Sequence, residues 1–281
     1  MNKRLLLIFL ISLFGPIACG QADASEGRLH LDGSDPAGQR PVVIESFTGT
    51  WCTFCYGAGM ALESIQNNYP RSEVLVVIYH KDDPYSIRFA NTRYNYYRVQ
   101  GCPTAWFNGM IEETGGSRYQ DGAQGIAVVR SVFQAWFEEE RARTAGVAPF
   151  QLRLEGQIGP TDPEMKLTVS SATGYSENVN AIFLIVEDHI PVPPEEMAFN
   201  ANKQTAFSAV ARAHLGTEPV TLTSPGSFQI NVSYAGTIPH HSEENLRPVV
   251  FLQNVTTKEI VGAVGEFSEP EPSPVSIWEV Y

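Results

Sequence analysis

The amino-acid sequence predicts an α/β fold followed by an all-β sandwich, and three observations predict it. The apolar residues 41–46 indicate a buried strand and precede residues 57–65, which carry apolar side chains at helical spacing. Residues 73–80 indicate a second buried strand. After Ala145 the pattern changes to short strands separated by Gly, Pro, Asn and Ser clusters, which is typical of an antiparallel β-sandwich.

The remaining elements of the α/β part follow in chain order. Residues 87–97 predict a helix, and residues 104–108 predict a strand. Asn108-Gly109 is a hairpin signal, so residues 110–114 become the returning strand. Residues 120–143 predict a long helix with one apolar face. This α/β domain is expected to cover residues 41–145.

The all-β domain is expected to cover residues 146–267. Its predicted strands either alternate with period two or are wholly apolar; they are residues 150–154, 165–169, 181–186, 227–232 and 249–252. With 43% hydrophobic residues in 281, the chain has enough apolar material for about two domains. The formal net charge of −12 and the lack of a Lys/Arg cluster exclude nucleic acid as an expected partner.

The N-terminus has the pattern of a secretory signal. Lys3 and Arg4 precede the apolar residues 5–14, a run too short to span a membrane. Two interpretations stay open: cleavage after Ala24, which makes residues 1–24 a signal peptide, or lipidation of Cys19 in a lipobox-like segment. Either one predicts a mature protein outside the reducing cytoplasm. Residues 25–40 then predict a tether, and residues 268–281 a flexible C-terminal tail.

The turn between the first strand and the first helix contains Cys52-Thr53-Phe54-Cys55. The first turn of a helix stabilises an anion through its free N–H groups and the helix dipole, so a thiolate there has a lowered pKa. We expect Cys52 to be the exposed attacking sulfur and Cys55 the more buried resolving one. Zinc also uses this spacing, but it needs a second ligand pair at similar spacing, and the sequence has none. Thiol chemistry is therefore favoured.

A second signal lies downstream at Gly101-Cys102-Pro103-Thr104. Together with Trp51-Cys52-x-x-Cys55, this motif resembles the thioredoxin superfamily, in which a cis-proline faces the disulfide. Cis peptide bonds are essentially a proline feature, so Pro103 is the candidate. The alternative is an ordinary trans proline that opens a strand.

A wider set of motifs extends this resemblance over most of the mature chain. It includes Glu45 with Thr48-Gly49-Thr50-Trp51, then His80-x-x-Asp83-Pro84, and a β-rich half with 248–254 and 257–261. The chain resembles the thioredoxin-like outer-membrane proteins of the twenty-eight-kilodalton class. The resemblance implies an envelope protein, often a lipoprotein, with a thiol-disulfide site and an appended immunoglobulin-like domain.

Glu45 is the candidate proton acceptor. Thioredoxins place an acidic residue behind the second cysteine, usually six residues before the first one. Glu45 lies seven residues before Cys52, and Ser46 lies six before it. A turn that is longer by one residue would bring Glu45 behind Cys55. The alternative is a surface carboxylate at a strand edge.

Cys102 departs from the superfamily, whose members usually carry Val, Ile or Thr before the cis-proline. We expect this third thiol close to Cys52, and three interpretations stay open. Cys102 packs as a small apolar residue, or it acts as an alternate resolving thiol. In the third interpretation Cys52, Cys55 and Cys102 form a three-thiolate site for a soft metal such as Cu(I).

The expected function is thiol-disulfide exchange in the periplasm or at the outer membrane. The Cys52 thiolate attacks a substrate disulfide and Cys55 resolves the mixed disulfide. Cys102, Pro103 and Thr104 are expected to bind the substrate backbone as an added strand, with Trp51 and Tyr56 as an apolar rim. The expected partners are disulfide-containing envelope proteins and a redox partner, with no cofactor and with the membrane reached only through a lipid anchor. The rival functions are partner binding around a structural disulfide, and copper handling.

Overall fold

An eight-stranded mixed sheet is the central element of the computed structural model, which describes residues 40–268. The predicted signal peptide, the lipidation of Cys19, the tether up to residue 39 and the tail after residue 268 lie outside the described residues. In this sheet the strands lie in the order β13-β12-β7-β10-β2-β1-β3-β4. A smaller sheet has the order β11-β6-β5, and β8 pairs with β9. The described part of the chain is thus mixed α/β, with one large sheet and few helices.

Four α-helices lie within residues 40–268: α1 (Cys55–Asn68), α2 (Arg88–Tyr97), α3 (Gly122–Thr144) and the single turn α4 (Pro194–Met197). The strands up to the end of α3 are β1 (Val42–Thr48), β2 (Val74–His80), β3 (Thr104–Phe107) and β4 (Ile111–Thr114). The later strands are β5 (Gln151–Gln157), β6 (Glu164–Ser171), β7 (Tyr175–Glu187), β8 (Ile190–Pro191), β9 (Ala206–Phe207), β10 (Val210–Leu222), β11 (Gly226–Ser233), β12 (Leu246–Asn254) and β13 (Ile260–Val264).

One end of the large sheet is built by the residues before position 145. β1 and β2 are parallel, and β3 runs antiparallel to β1. The predicted hairpin joins β3 to β4, and both turn residues, Asn108 and Gly109, have positive φ angles. These φ values are typical of the tight Asn-Gly hairpin turn. Each predicted helix and strand of this part is present, with ends shifted by a few residues.

The other end of the large sheet is built by β7, β10, β12 and β13, which pair antiparallel. The two ends join where Val210 of β10 pairs with Ile78 of β2, and the Ile78 N–H donates to the carbonyl of Ala209 at 2.7 Å. The large sheet is therefore continuous across the predicted domain boundary at residue 145, and that boundary stays a prediction. The smaller sheet packs on one face of this end, with side chains such as Leu154, Leu167 and Phe183 between the layers.

Helices α1, α2 and α3 cover both faces of the sheet end that contains β1 and β2. α1 and α3 pack on one face, where Ile44 of β1 contacts a core that contains Leu62 and Phe133. α2 packs on the opposite face, in a core that contains Val43 and Phe47. Successive residues of β1 therefore face different cores, as the period of a strand requires. None of the helices within residues 40–268 is long and apolar enough to cross a membrane.

Two features of the later residues were not predicted from the sequence. β10, with thirteen residues, is among the longest strands described and carries Pro219 and several register shifts. Residues 189–208, between β7 and β10, contain β8, α4 and β9 and return toward the start of α1. We call residues 189–208 the insertion.

Candidate functional site

Cys52 and Cys55 form a disulfide with an S–S distance of 2.10 Å and a Cα–Cα distance of 5.4 Å. α1 begins at Cys55, so Cys52 lies in the turn before the helix, where the Cys52 N–H donates to the carbonyl of Gly49 at 3.1 Å. The prediction that Cys52 is exposed is wrong. Cys52 is only 4% exposed, compared with 1% for Cys55, because the turn folds back over the bridge.

The start of α1 is electrostatically suited to a thiolate. The helix has no side-chain cap and no acidic residue in its first turn. The helix dipole therefore favours negative charge at the turn before α1, and no acidic side chain of the first turn opposes it, although the Gly57 N–H is already engaged by the carbonyl of Ser117.

The turn that carries Cys52 is held by the residues after β2 and by the insertion. The Thr50 N–H donates to Asp83 Oδ2 at 2.8 Å, and the Trp51 indole N–H donates to the carbonyl of Lys81 at 2.8 Å. From the insertion, the Asn202 N–H donates to the carbonyl of Thr50 at 3.0 Å. Thr50 is thus fixed through both of its peptide groups. The contribution of Asn202 was not predicted from the sequence.

His80 and Asp83 form a buried pair behind this turn. His80 Nδ1 lies 2.7 Å from Asp83 Oδ2, and the His80 ring packs against Tyr85 and Phe207. Burial alone would raise the pKa of Asp83, but His80 and the N–H groups of Thr50 and Tyr85 stabilise the carboxylate and lower the pKa overall. Asp83 is therefore a charged anchor for Thr50 at neutral pH.

The Cys102–Pro103 peptide bond is cis, as the sequence predicts. The carbonyl of Pro103 accepts from the Gly115 N–H at 3.2 Å, and the carbonyl of Ser117 accepts from the Gly57 N–H of α1 at 2.9 Å. Between them, Gly116 comes so close that an added Cβ would lie 2.1 Å from the Phe54 carbonyl oxygen and 2.8 Å from Pro103 Cγ. Residues 115–117 therefore connect the cis-proline to the start of α1, a connection that was not predicted from the sequence.

Thr104 does not offer its side chain to a substrate. It is buried, and its hydroxyl donates to the carbonyl of Gly101 at 2.8 Å. Its strand β3 is paired on both sides, with β1 and with β4. The expected role in added-strand binding therefore falls to the residues before β3, and it stays a prediction for Pro103 and Cys102.

Glu45 does not lie behind Cys55, which corrects the expectation from the sequence. Its side chain is on the face of β1 covered by α2, where it accepts two hydrogen bonds from Arg93, at 2.8 and 2.6 Å. The hydroxyls of Tyr79 and Tyr97 donate to the same carboxylate at 3.0 and 2.6 Å. Because α1 packs on the other face, the proton-acceptor role of Glu45 is excluded by its position, and the surface alternative is wrong as well.

Ser46 occupies the face of β1 that Glu45 was expected to occupy. It lines a cavity of about 70 Å³ together with Cys55 and Pro103. Thr48 and, from the insertion, Phe207 line the same cavity. Cys55 therefore shares a small cavity with Ser46 and Thr48, and Glu45 does not line it.

Cys102 is half-buried and its Sγ shares a hydrogen bond of 3.0 Å with the hydroxyl of Tyr94 on α2. Burial raises the pKa of the Cys102 thiol, and the Tyr94 hydroxyl offsets part of that rise. A protonated thiol in a core of apolar residues favours the interpretation of Cys102 as a packing residue. Within residues 40–268, no group of three or more His, Cys, Asp or Glu residues is placed to hold a metal ion.

Exposed aromatic side chains surround the buried bridge. Trp51 and Phe54, on either side of Cys52, are 48% and 49% exposed. The Arg118 guanidinium lies over the Phe54 ring at 5.5 Å, and half-buried Tyr56 packs edge-on against exposed Tyr119. We call this surface the aromatic rim. It offers apolar area and one cation next to the disulfide.

Comparison with solved structures shows a similar fold. HBP35 of Porphyromonas gingivalis is 15% identical, with 86% of this chain and 79% of that chain covered and a TM-score of 0.59. A domain of the outer membrane lipoprotein Omp28 from Porphyromonas gingivalis is also 15% identical; 45% of this chain and 93% of that chain are covered, with a TM-score of 0.31. No family model and no curated protein matches the chain. The likeness to HBP35 extends over both halves of the large sheet and concerns the fold alone.

Proposed function

We propose that the chain is a thiol-disulfide exchange protein with Cys52 and Cys55 as its redox pair. The observation that carries the proposal is the disulfide at the start of α1, a helix whose first turn contains no acidic residue. The nearby cis-proline and the aromatic rim support it. In this proposal residues 41–145 form a thioredoxin-like domain and residues 146–267 an immunoglobulin-like one, within a single continuous sheet.

The reaction begins from the reduced pair. The Cys52 thiolate attacks one sulfur of a substrate disulfide, a mixed disulfide forms, and the other substrate sulfur leaves as a thiolate. Cys55 then loses its proton and attacks the Cys52 sulfur. The Cys52–Cys55 bridge forms, the second substrate thiolate leaves, and the substrate has gained two electrons. A thiol redox partner returns these electrons to the pair.

The proposed cellular location and substrates follow from the sequence. The signal pattern at the N-terminus supports a location in the periplasm or at the outer membrane, with Cys19 as the lipid attachment point if residues 1–24 are not removed as one peptide. The proposed substrates are disulfide-containing envelope proteins. The aromatic rim, with Trp51 and Phe54, is the proposed contact for their apolar segments.

The test is the reduction potential of the Cys52–Cys55 pair, measured by alkylation and mass spectrometry across redox buffers in a Cys102→Ser background. Exchange proteins have potentials between about −270 and −120 mV, whereas structural bridges lie below about −300 mV. We expect a value inside the first range. A value below the second limit would remove the proposal.

One observation favours a second function, in which the bridge is structural and the aromatic rim binds a partner without exchange. Both cysteines are nearly inaccessible, at 4% and 1% exposed, and thiol exchange requires access to a sulfur. The rate at which a small thiol reduces the native bridge separates the two functions. A reduction rate close to that of an unfolded peptide disulfide supports exchange. A reduction rate lower by a factor on the order of 1,000 supports the structural role.

A further inference from the structure

A second cavity of about 130 Å³ lies beyond the end of α1. It is lined by Asn67 and Tyr69 from the end of α1 and the residue after it, by Arg71, and by Asp188, Ser208 and Arg247 from the other end of the large sheet. Two guanidinium groups and two carboxylates, those of Asp188 and Glu63, therefore line a space that is large enough for a small ion. It is too small for a drug-sized or nucleotide ligand, which needs about 300 Å³ or more.

The carboxylate of Asp188 is already saturated by donors. Arg247 donates to it through Nε at 2.6 Å and through Nη2 at 3.3 Å. The Ala209 N–H donates at 2.8 Å and Arg71 Nη2 at 3.2 Å. Burial would raise the pKa of Asp188, but these contacts, above all the charge of Arg247, lower it overall. Asp188 stays ionised and has no capacity left for the remaining donors of the two arginines.

One of those remaining donors is buried and has no acceptor among the described residues, and the others belong to Arg71, which is half-exposed. Arg247 is buried, and its Nη1 has no hydrogen-bond partner among residues 40–268. Arg71 Nη1 lies 3.8 Å from Glu266, which is too long for a hydrogen bond. A buried guanidinium donor without a partner is costly, and the cost is removed by an acceptor, best a charged one. The planar fork of arginine matches the oxygens of carboxylate and phosphate groups.

We propose that this cavity binds a small oxyanion, a carboxylate or a phosphate group, between Arg71 and Arg247. Tyr69, Asn67 and Ser208 line the same space and supply neutral polar groups. Glu63 also lines the cavity, but it is exposed, so solvent and salt screen its charge.

The oxyanion cavity adjoins the cavity at Cys55 and Pro103. The two cavities share Glu63, Gln66, His189 and Ser208 in their linings. The oxyanion site itself does not depend on the proposed exchange activity, because none of its donors belongs to the redox pair.

The experiment is a calorimetric titration of the full chain with inorganic phosphate and, separately, with acetate, at constant ionic strength set by chloride. The unchanged protein is compared with Arg71→Met, which removes one half-exposed arginine. The matched control is Arg118→Met, which removes an arginine of similar exposure from the aromatic rim. An Arg247→Lys variant keeps a cation beside Asp188 while it removes Nη1, so the fold keeps its buried ion pair.

We expect saturable binding of at least one of the two anions, with an affinity about tenfold lower in Arg71→Met and in Arg247→Lys and unchanged in Arg118→Met. Saturation by phosphate alone identifies a phosphate site, and saturation by acetate alone a carboxylate site. The proposal is overturned if neither anion saturates, or if Arg71→Met and Arg118→Met lower the affinity equally. A failed titration leaves the reduction potential of the cysteine pair untouched, so the two proposals fail separately.

Discussion

Glu45 and Ser46 are neighbours on β1, yet they face two different environments. The Glu45 carboxylate is closed into a network in which Arg93, Tyr79 and Tyr97 donate to both of its oxygens. Arg93 is held in turn by the side-chain carbonyl of Gln253, at 2.9 Å, from the other end of the large sheet. On the opposite face, Ser46 lines an open cavity at the disulfide.

The difference shows how the chain distributes its charges. The hydrogen bonds around the Glu45 carboxylate link α2 to both halves of the large sheet. A buried ion pair of this kind is stable only if its oxygens and N–H groups all have hydrogen-bond partners. Burial raises the pKa of Tyr79 and of Tyr97 well above the usual range, and the Glu45 charge adds to this, so both stay protonated donors. On the opposite face of β1, the cavity at Cys55 is lined by Ser46 and Thr48, and Glu45 does not reach it.

Breaking the network is expected to have the largest effect. Glu45→Met leaves the Arg93 guanidinium buried without its counter-ion, and we expect a loss of about 3–5 kcal/mol in the free energy of unfolding. Urea denaturation measures it. The Glu45→Met/Arg93→Met double variant should lose less than the sum of the two single variants, because it removes both charges together.

The opposite face supplies the matched control. Ser46→Ala removes one small hydroxyl and should cost under about 1.5 kcal/mol. The pH dependence of alkylation of reduced Cys52 should be the same in Glu45→Met as in the unchanged protein. A shift in that dependence would mean that Glu45 acts on the thiols, in conflict with its position on the other face of β1.

A smaller loss is expected where the cis-proline meets the start of α1. Gly116→Ala would bring a Cβ within 2.1 Å of the Phe54 carbonyl oxygen, so backbone must move, at a cost of about 2–3 kcal/mol. Gly101→Ala is the control, since an added Cβ there meets nothing within 4 Å. Gly101→Ala should be neutral or slightly stabilising. Equal losses in thermal unfolding for the two variants would show that residues 115–117 are not tightly packed.

Asp83→Asn tests the anchor of the cysteine turn through pH. The folded state lowers the pKa of Asp83 from 3.8, so its stabilisation is complete above that value and is lost as the pH falls below it. At pH 7 we expect Asp83→Asn to lose about 1.5 kcal/mol, and the gap to the unchanged protein should narrow below pH 3.8. Asp82→Asn, with a side chain that has no hydrogen bond among the described residues, is the control. If the difference in unfolding free energy between Asp83→Asn and the unchanged protein stayed constant below pH 3.8, the role of the Asp83 charge as an anchor would be contradicted.

The sequence predicts what is local and leaves open what is not. The strand before Cys52 and the helix after it follow from adjacent residues, whereas the cis bond at Pro103 was implied by the resemblance of two short motifs to the thioredoxin superfamily. The face of Glu45 was mispredicted because a strand has period two, so a shift of one residue exchanges the two faces. The bond from Asn202 to Thr50 joins residues far apart in the chain, and no periodicity signals it. The strand β10 was missed because Pro219 and its register shifts interrupt the alternation.

The smallest effect on stability is expected at the aromatic rim, where Phe54 is exposed and contacts Arg118. Phe54→Ala removes one exposed cation-π contact and should change the free energy of unfolding by less than about 1 kcal/mol.

If this surface holds apolar substrate segments, the same variant should slow reduction of a disulfide-bonded polypeptide by about fivefold while it leaves the rate with a small aromatic disulfide unchanged. Phe228→Ala, at a similarly exposed phenylalanine on β11, should change neither rate. Equal slowing by both variants, or slowing with the small disulfide, would show that the face beside the bridge does not select polypeptides. The aromatic rim would then differ from the network at Glu45 only in how exposed its side chains are, and not in having a binding function.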